Sequence, residues 1–197
     1  INSFPNTQSG IEARFYLGLT HMKLKQYDEA RVVFQAFALK YPENAKAPDA
    51  WWRAAEAYAA LGNNHEAASA YERVKLFHPK SKLAPDALVK ASEYYHRSKD
   101  NQSAEKVLRN LIDEYGTNAS VMNGRLLLGK LYAEEGNYQQ ALAEFNRVLN
   151  ADASPEQKAE TLVARGIVLQ STGRIDEAEK DYREVIASFG STPASSK

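Results

Sequence analysis

Small and apolar side chains recur along this chain at a fixed interval of 37 residues. The clearest series is an alanine that follows an acidic or polar residue, at Ala30, Ala67, Ala104, Ala141 and Ala178. Four residues after each alanine comes a large apolar side chain, at Phe34, Tyr71, Leu108, Phe145 and Tyr182. Four identical steps without an insertion indicate a structural repeat, because self-similarity at a fixed period is the signature of repeat architectures.

The hydrophobic positions inside one repeat predict two helices. From Ala50 to Leu61 the core positions recur at helical intervals, as Trp51, Ala54, Ala55 and Tyr58. Gly62 then ends this helix. A second helix is predicted from about His65 to Phe77, with an inward stripe of Ala67, Tyr71 and Val74. Pro79 follows and cannot continue a helix, so each repeat is predicted to be a helix–turn–helix unit.

Three further series refine this prediction. Small residues, expected to let the two helices approach closely, stand at Gly18, Ala55, Ser92, Gly129 and Gly166. The turn between the helices holds Lys25, Gly62, Lys99, Gly136 and Gly173. Helix-capping residues precede the first helices, at Thr7, Asn44, Ser81, Asn118 and Ser154. Pro48 and Pro85 are expected in a first helical turn, with a looser loop as the alternative.

These series resemble the consensus of the tetratricopeptide repeat (TPR) family. The matching residues include Leu17, Gly18, Trp51, Tyr58, Gly62, Leu128, Gly129, Tyr132, Gly136, Gly166 and Gly173, together with the alanine series. The third repeat matches least, because it lacks the turn glycine. The resemblance implies an all-α fold, an α-solenoid of about five helix-turn-helix repeats in a right-handed superhelix. The usual TPR period is about 34 residues, so this repeat is longer.

The repeats are expected at residues 11–47, 48–84, 85–121, 122–158 and 159–190. Residues 1–10 are expected to hold the end of a preceding repeat and a loop, because Pro5 stands one period before Pro42. Residues 191–197 have the composition of a polar tail. We therefore expect the protein to continue beyond one or both ends of this chain.

The longer period is similar to that of TPR proteins of the bacterial cell envelope. Examples are the accessory protein of the Tol–Pal system and the lipoprotein of the outer-membrane β-barrel assembly machine. The resemblance implies a place in the bacterial periplasm or at the periphery of the outer membrane. A cytoplasmic location is the alternative.

Composition narrows the function classes. The chain has 25 basic and 25 acidic residues and a formal net charge of zero, which disfavours nucleic acid as a partner. It has no cysteine, which excludes disulfide scaffolds, thiolate metal sites and cysteine nucleophiles. No apolar run is long enough to predict a membrane span.

The sequence lacks the residue patterns of catalysis and cofactor binding. Its four histidines, at His21, His65, His78 and His96, do not pair at the spacing of metal ligands. Phosphate-binding loops, dinucleotide fingerprints and nucleophile elbows are missing as well. We therefore expect no enzymatic activity, no cofactor and no metal ion.

The TPR resemblance implies that the first helices line a concave groove. The candidate partner-binding residues in this groove are Phe15, Leu19, Met22, Trp52, Glu56, Val89, Glu93, His96, Leu126 and Lys130. Trp52 is the strongest, because Trp51 already fills the core position and the next residue points about 100° away around the helix. For Val89, Leu126 and Val163, packing between neighbouring repeats is an equal alternative.

The leading interpretation is a non-catalytic scaffold for protein–protein interaction. It would bind a partner peptide or protein segment in the groove through apolar anchors such as Phe15 and Trp52. The Lys and Asn pattern with which chaperone-binding TPR proteins hold a peptide carboxylate is absent from the groove positions. The alternatives are a cytoplasmic adaptor and a regulatory region of a larger protein. Self-association through open repeat ends is a further expectation.

Overall fold

The structure is a computed structural model and describes residues 7–116 and 118–189. Ten α helices form this part of the chain. They are α1 (Gln8–Lys23), α2 (Tyr27–Lys40), α3 (Ala47–Ala60), α4 (Asn64–Phe77), α5 (Ala84–Arg97), α6 (Asn101–Tyr115), α7 (Ala119–Glu134), α8 (Tyr138–Leu149), α9 (Pro155–Ser171) and α10 (Ile175–Phe189). Two helices fall in each predicted repeat, and no strand occurs among the described residues. The predicted all-α, helical-repeat class is confirmed, whereas the handedness of the superhelix stays a prediction.

The repeat boundaries differ slightly from the start of the helices. Each first helix begins one to four residues before the predicted boundary. Residues 1–6 of the expected preceding repeat and the expected polar tail lie outside the described residues.

The contacts divide the chain into two compact units, residues 1–109 and 110–197. In the first unit, helices α1 to α5 pack in chain order, each against the next. In the second unit, α7 packs against α8, α8 against α9 and α9 against α10, and α7 also contacts α9. Packing between sequence neighbours is what a repeat protein requires, since each repeat buries its apolar face against adjacent ones.

The turn inside every helix pair contains one residue with left-handed backbone. Its φ is 58° at Lys25, 77° at Gly62, 67° at Lys99, 77° at Gly136 and 77° at Gly173. After each such residue, the next N–H donates to a carbonyl five residues earlier, as from Asn63 to Tyr58 at 3.0 Å, which is the Schellman pattern. The predicted turn series is therefore confirmed, and the two lysines adopt this backbone at a cost of about 1–2 kcal/mol each.

The small-residue series marks the closest approach of the paired helices. A β-carbon added at Gly18 would come within 2.7 Å of the Phe34 ring, and one at Gly166 within 2.6 Å of the Tyr182 ring. Gly129 lies still closer to the ring of Phe145. The predicted function of this series is thus confirmed: glycine removes the atom that would keep the aromatic ring of the second helix away.

Three of the five predicted caps begin a first helix. The side chains of Thr7, Asn118 and Ser154 accept hydrogen bonds from backbone N–H groups of the first turn. Ser154 forms a full capping box with Gln157, since each side chain bonds the backbone of the other. These caps satisfy N–H groups that have no partner inside the helix.

Asn44 and Ser81 were predicted as caps, and that prediction is wrong. Helices α3 and α5 begin only at Ala47 and Ala84, so Asn44 and Ser81 lie one turn earlier. Their side chains instead accept from backbone N–H groups two residues on, closing a tight turn before the helix. The helices start where Pro48 and Pro85 occupy the first turn, as expected, because proline has no N–H that needs a cap.

Candidate partner-binding surface

Three aromatic rings from consecutive helices of the first unit contact one another. The Trp52 ring of α3 meets the Tyr71 ring of α4 edge to face, with centroids 5.0 Å apart. The Tyr71 ring stacks on Tyr94 of α5, with centroids 5.7 Å apart. We call Trp52, Tyr71 and Tyr94 the aromatic cluster. Tyr71 is buried and fills the space between the two first helices, whereas Trp52 and Tyr94 are half-buried.

The polar neighbours of Trp52 hold its ring in one orientation. Trp52 Nε1 donates to Glu56 Oε1 at 2.9 Å, one turn further along α3. The second oxygen, Glu56 Oε2, accepts from Arg53 Nη1 at 2.9 Å. The indole is not free to rotate, because it is fixed at its ring by Tyr71 and at its N–H by Glu56. Part of its surface nevertheless remains accessible.

The same charge pattern appears one period later. Lys90 Nζ donates to Glu93 Oε2 at 2.9 Å on α5, as Arg53 does to Glu56 on α3. A further cation lies beside this pair, because the Arg97 guanidinium is 4.7 Å from the ring centroid of Tyr94. The aromatic cluster is therefore bordered by two carboxylates and three basic side chains.

The Tyr71 hydroxyl lies in the field of both carboxylates. Burial raises the pKa of Tyr71 far above its ordinary value, and Glu56, Tyr94 and Glu93 raise it further. Both effects favour the neutral phenol, since each opposes a negative charge on the oxygen. Tyr71 therefore keeps its proton at physiological pH and can act as a hydrogen-bond donor.

The candidate residues of α1 differ in accessibility. Phe15 is only 3% exposed and packs edge-on against Phe34 and Phe37, with both centroid distances at 5.5 Å. Leu19 and Met22 are half-buried. Phe15 therefore contributes to the hydrophobic core of its helix pair, while Leu19 and Met22 retain accessible surface.

The remaining candidates of the first unit lie on α5. Val89 is buried, and Glu93 and His96 are half-buried. The Nδ1 atom of His96 is 3.1 Å from Asn101 Oδ1 at the start of α6. Little of the Val89 side chain is accessible, so it offers almost no surface to a partner.

In the second unit, the candidates are Leu126 and Lys130 of α7. Leu126 is 4% exposed, whereas Val163, in the same series on α9, is 40% exposed. Lys130 Nζ donates to Glu160 Oε1 of α9 at 2.6 Å, linking the first helices of two successive repeats. Leu126 therefore offers little surface to a partner, whereas Val163 is accessible. Whether any of the ten candidates contacts a partner stays a prediction.

The sequence interpretation assigned Tyr71 to the core alone and missed its contribution to this surface. The available signal was its hydroxyl, which the series has at Tyr71 and Tyr182 but not at Phe34, Leu108 and Phe145. A buried tyrosine needs a polar environment at its tip. A tyrosine in a series that also holds phenylalanine and leucine therefore indicates a polar environment at the tip of this side chain.

Two buried carboxylates were also missed. Glu144 and Asp181 stand one period apart, in a series that holds Ala70 and Val107. Arg125 and Arg147 both donate to Glu144. Arg165 donates to both Asp181 oxygens, at 2.8 and 2.6 Å. These pairs join the two helices of repeats four and five and are structural, since both oxygens of each buried carboxylate accept from arginine.

Over residues 7–116 and 118–189, no group of three or more histidine, aspartate or glutamate side chains is placed to hold a metal ion. None of the helices in this part of the chain is long and apolar enough to cross a membrane. The expected absence of catalysis, cofactor and metal stays a prediction, as does the absence of nucleic acid among the partners.

Two family models match the chain, and both describe the tetratricopeptide repeat. One matches residues 118–190, and the other matches residues 12–44 and 49–81, so that together they account for more than half of the chain. The chain belongs to the TPR family. A comparison with curated proteins finds no match.

Solved structures confirm the fold of this TPR protein. MamA from Desulfovibrio magneticus RS-1 has a TM-score of 0.69 at 15% identity, over 93% of this chain and 97% of that one. BtubC from P. vanneervenii has a TM-score of 0.67 at 17% identity, over 96% and 85%. A putative kinesin light chain with TPR-like repeats from Podosopora anserina has a TM-score of 0.65 at 16% identity, over 91% and 94%. TPR repeats are scaffolds for protein–protein interaction, and that is the general function of this chain.

Proposed function

We propose that this TPR protein binds a partner peptide or protein segment across the aromatic cluster of its second and third repeats. The observation that carries the proposal is the geometry of Trp52, which is half-buried, held edge-on by Tyr71 and fixed at Nε1 by Glu56. A large ring that is already oriented offers contact area at a small cost in conformational entropy. Tryptophans of this kind are favoured hot spots at protein interfaces.

Other side chains of the predicted groove have supporting functions in this proposal. Leu19 and Met22, which are half-buried, extend the apolar surface on α1. Glu56, Glu93 and His96 supply hydrogen-bonding groups that set the register of the bound segment. Phe15 acts indirectly, since its burial against α2 fixes the position of α1.

We further propose that the protein works in a bacterial envelope assembly. The support is the 37-residue period, which is similar to that of envelope TPR proteins. The full-length gene is expected to encode an export signal or a lipid anchor, and sequencing upstream of this chain tests that. A gene with neither feature would favour the cytoplasmic adaptor, and a gene with a catalytic domain would favour the regulatory region of an enzyme.

Replacing Trp52 with alanine is expected to weaken partner binding by about 30-fold or more. The physical reason is the loss of a pre-oriented hot-spot ring, for which truncation costs about 2 kcal/mol or more. The partner is first represented by peptides selected from a randomised library displayed on phage, with the wild-type chain immobilised. Dissociation constants of the selected peptides are then measured by fluorescence anisotropy for wild type and variant.

Tyr138→Ala is the matched control. Tyr138 is an exposed aromatic residue at the start of α8, outside the aromatic cluster, and its removal should leave the dissociation constants unchanged. Circular dichroism verifies that both variants remain folded. Selected peptides that bind the Trp52→Ala protein as tightly as wild type would show that binding uses another surface.

A further inference from the structure

We propose that one face of α9 and α10 binds a second copy of this chain across a two-fold axis, so that the protein forms a closed dimer. This face lies on the second unit and is separate from the aromatic cluster. Ile167 is 56% exposed and Ile186 is 72% exposed, which is unusual for large apolar side chains. We call the accessible apolar residues of this face the α9–α10 surface: Val163, Ile167, Ile175, Tyr182 and Ile186.

The α9–α10 surface corresponds to a face that other repeats cover with a helix. The first helix of the next repeat packs on the second helix before it, as α3 does on α2, α5 on α4 and α9 on α8. In the described part of the chain, only α9 packs extensively against α10. Tyr182 is therefore only half-buried, although its counterparts in the other repeats are all buried, namely Phe34, Tyr71, Leu108 and Phe145.

The residues of α1 argue against a head-to-tail stack, in which α1 of a second copy would cover α10. Where α5 covers α4, the Tyr95 hydroxyl donates to Glu72 at 2.9 Å, and α3 makes the same kind of bond to α2. In these two series, α1 has His21 and α10 has Arg183. The stack would bring two basic side chains together where the chain's own contacts bring a donor to an acceptor.

The exposed stripe of α10 is instead complementary to itself in antiparallel order. Its residues follow one another at helical spacings, as Ile175, Glu179, Arg183 and Ile186. An antiparallel copy places isoleucine opposite isoleucine and Glu179 opposite Arg183, whereas a parallel copy places like charges together. Such self-complementarity is what a two-fold interface requires.

The charges and the apolar residues have different functions in this contact. Glu179 and Arg183 already pair on their own helix, with Arg183 Nη2 2.6 Å from Glu179 Oε1. An exposed pair of this kind contributes only about 0–1 kcal/mol, so exchanging it for a pair between copies costs little. The charges therefore set the orientation of the copies, and burial of the apolar residues drives the association.

The same two-fold axis passes close to Ile167 of α9. The midpoint of the α10 stripe lies at Asp181, whose two carboxylate oxygens accept from Arg165 of α9. Gly166 lies against the ring of Tyr182, the next residue of α10. Ile167 is thus at the level of this midpoint, and it meets its own counterpart in the second copy.

Sedimentation velocity of the 197-residue chain tests the dimer. Between about 1 and 200 μM we expect a reversible change from monomer to dimer, because the surface is smaller than the about 800 Å² per partner of a standard stable interface. Ile186→Ser should weaken dimerisation by about tenfold. Leu76→Ser is the control, since Leu76 of α4 is similarly exposed at 66%. Circular dichroism verifies that both variants remain folded.

Two further variants test the orientation of the copies. Glu179→Arg should weaken dimerisation by about tenfold through like charges, and Glu179→Arg/Arg183→Glu should restore it. The chain has no cysteine of its own, so Ile167→Cys can be cross-linked by copper phenanthroline at one position only. It should form a disulfide-linked dimer, because cysteines near the axis come within the about 7 Å between Cα atoms that a disulfide allows. Leu76→Cys should remain monomeric under the same oxidation.

Three results would overturn the proposal. A chain that is monomeric at about 200 μM would leave the α9–α10 surface to a helix of another protein. Dimerisation that Ile186→Ser does not weaken would place the interface elsewhere. Assemblies that keep growing with concentration, without cross-linking of Ile167→Cys, would show head-to-tail stacking. None of these results bears on the proposed function, because Trp52 lies on the first unit.

Discussion

Replacing Tyr132 with alanine is expected to lower the free energy of unfolding by about 3–5 kcal/mol. Tyr132 is 4% exposed and lies on α7 in the aromatic core series of the first helices. Alanine would remove most of a buried ring and leave a cavity, because the surrounding helices can close only part of the space. The change is measured by urea unfolding followed by circular dichroism, with the slope of the transition compared between the proteins.

Trp52→Ala provides the comparison that tests the assignment of surfaces. Trp52 is a larger residue than Tyr132 but is only half-buried, so its loss should cost clearly less, about 1–2 kcal/mol. Large and equal losses in the two variants would mean that Trp52 belongs to the core. In that case Trp52 would not be an accessible anchor, and the proposed binding surface would be wrong.

Replacing Gly129 with leucine is expected to cost about 3 kcal/mol or more. A β-carbon at this position would overlap the ring of Phe145, which is fully buried on α8. The ring has no free space to enter, so α7 and α8 would have to separate or Phe145 would have to leave its rotamer. The expected result is a lower midpoint of unfolding in urea, because the overlap costs more free energy than the removal of a glycine gains in helix propensity.

Ala133→Leu is the control for this prediction. Ala133 lies four residues further along α7 and is half-buried, so the added volume can extend into solvent. We expect a change within about 0.5 kcal/mol. A Gly129→Leu protein as stable as wild type would show that the helices of the fourth repeat are not in close contact at this position. The interpretation that the small-residue series lets paired helices approach closely would then be wrong.

The sequence by itself determined the period, the two helices of each repeat, the turns between them and the contact of a small residue with a large one. These features are local or nearly local. Gly62, for example, ends α3 through its own backbone preference, and Gly18 meets Phe34 only 16 residues further on. Because the same interactions recur in five repeats, a single sequence displays them several times over.

The capping series shows where this reasoning fails. Asn44 and Ser81 have the chemistry of caps, but a proline in the following first turn moves the start of the helix past them. Two local preferences compete there, and the series alone does not rank them. The structure shows that the proline position prevails in both repeats.

Only the tertiary structure decided which groove positions remain accessible. Phe15, Leu126 and Val163 occupy one series, yet the first two are buried and the third is exposed. The structure also decided that the carboxylates of Glu144 and Asp181 are buried, because arginines of a neighbouring helix pair with them. Tyr71 becomes part of a surface because Trp52 and Tyr94 meet on either side of it. Burial depends on which side chains of other helices cover a position, and that coverage is a property of the packed structure and not of the position in the repeat.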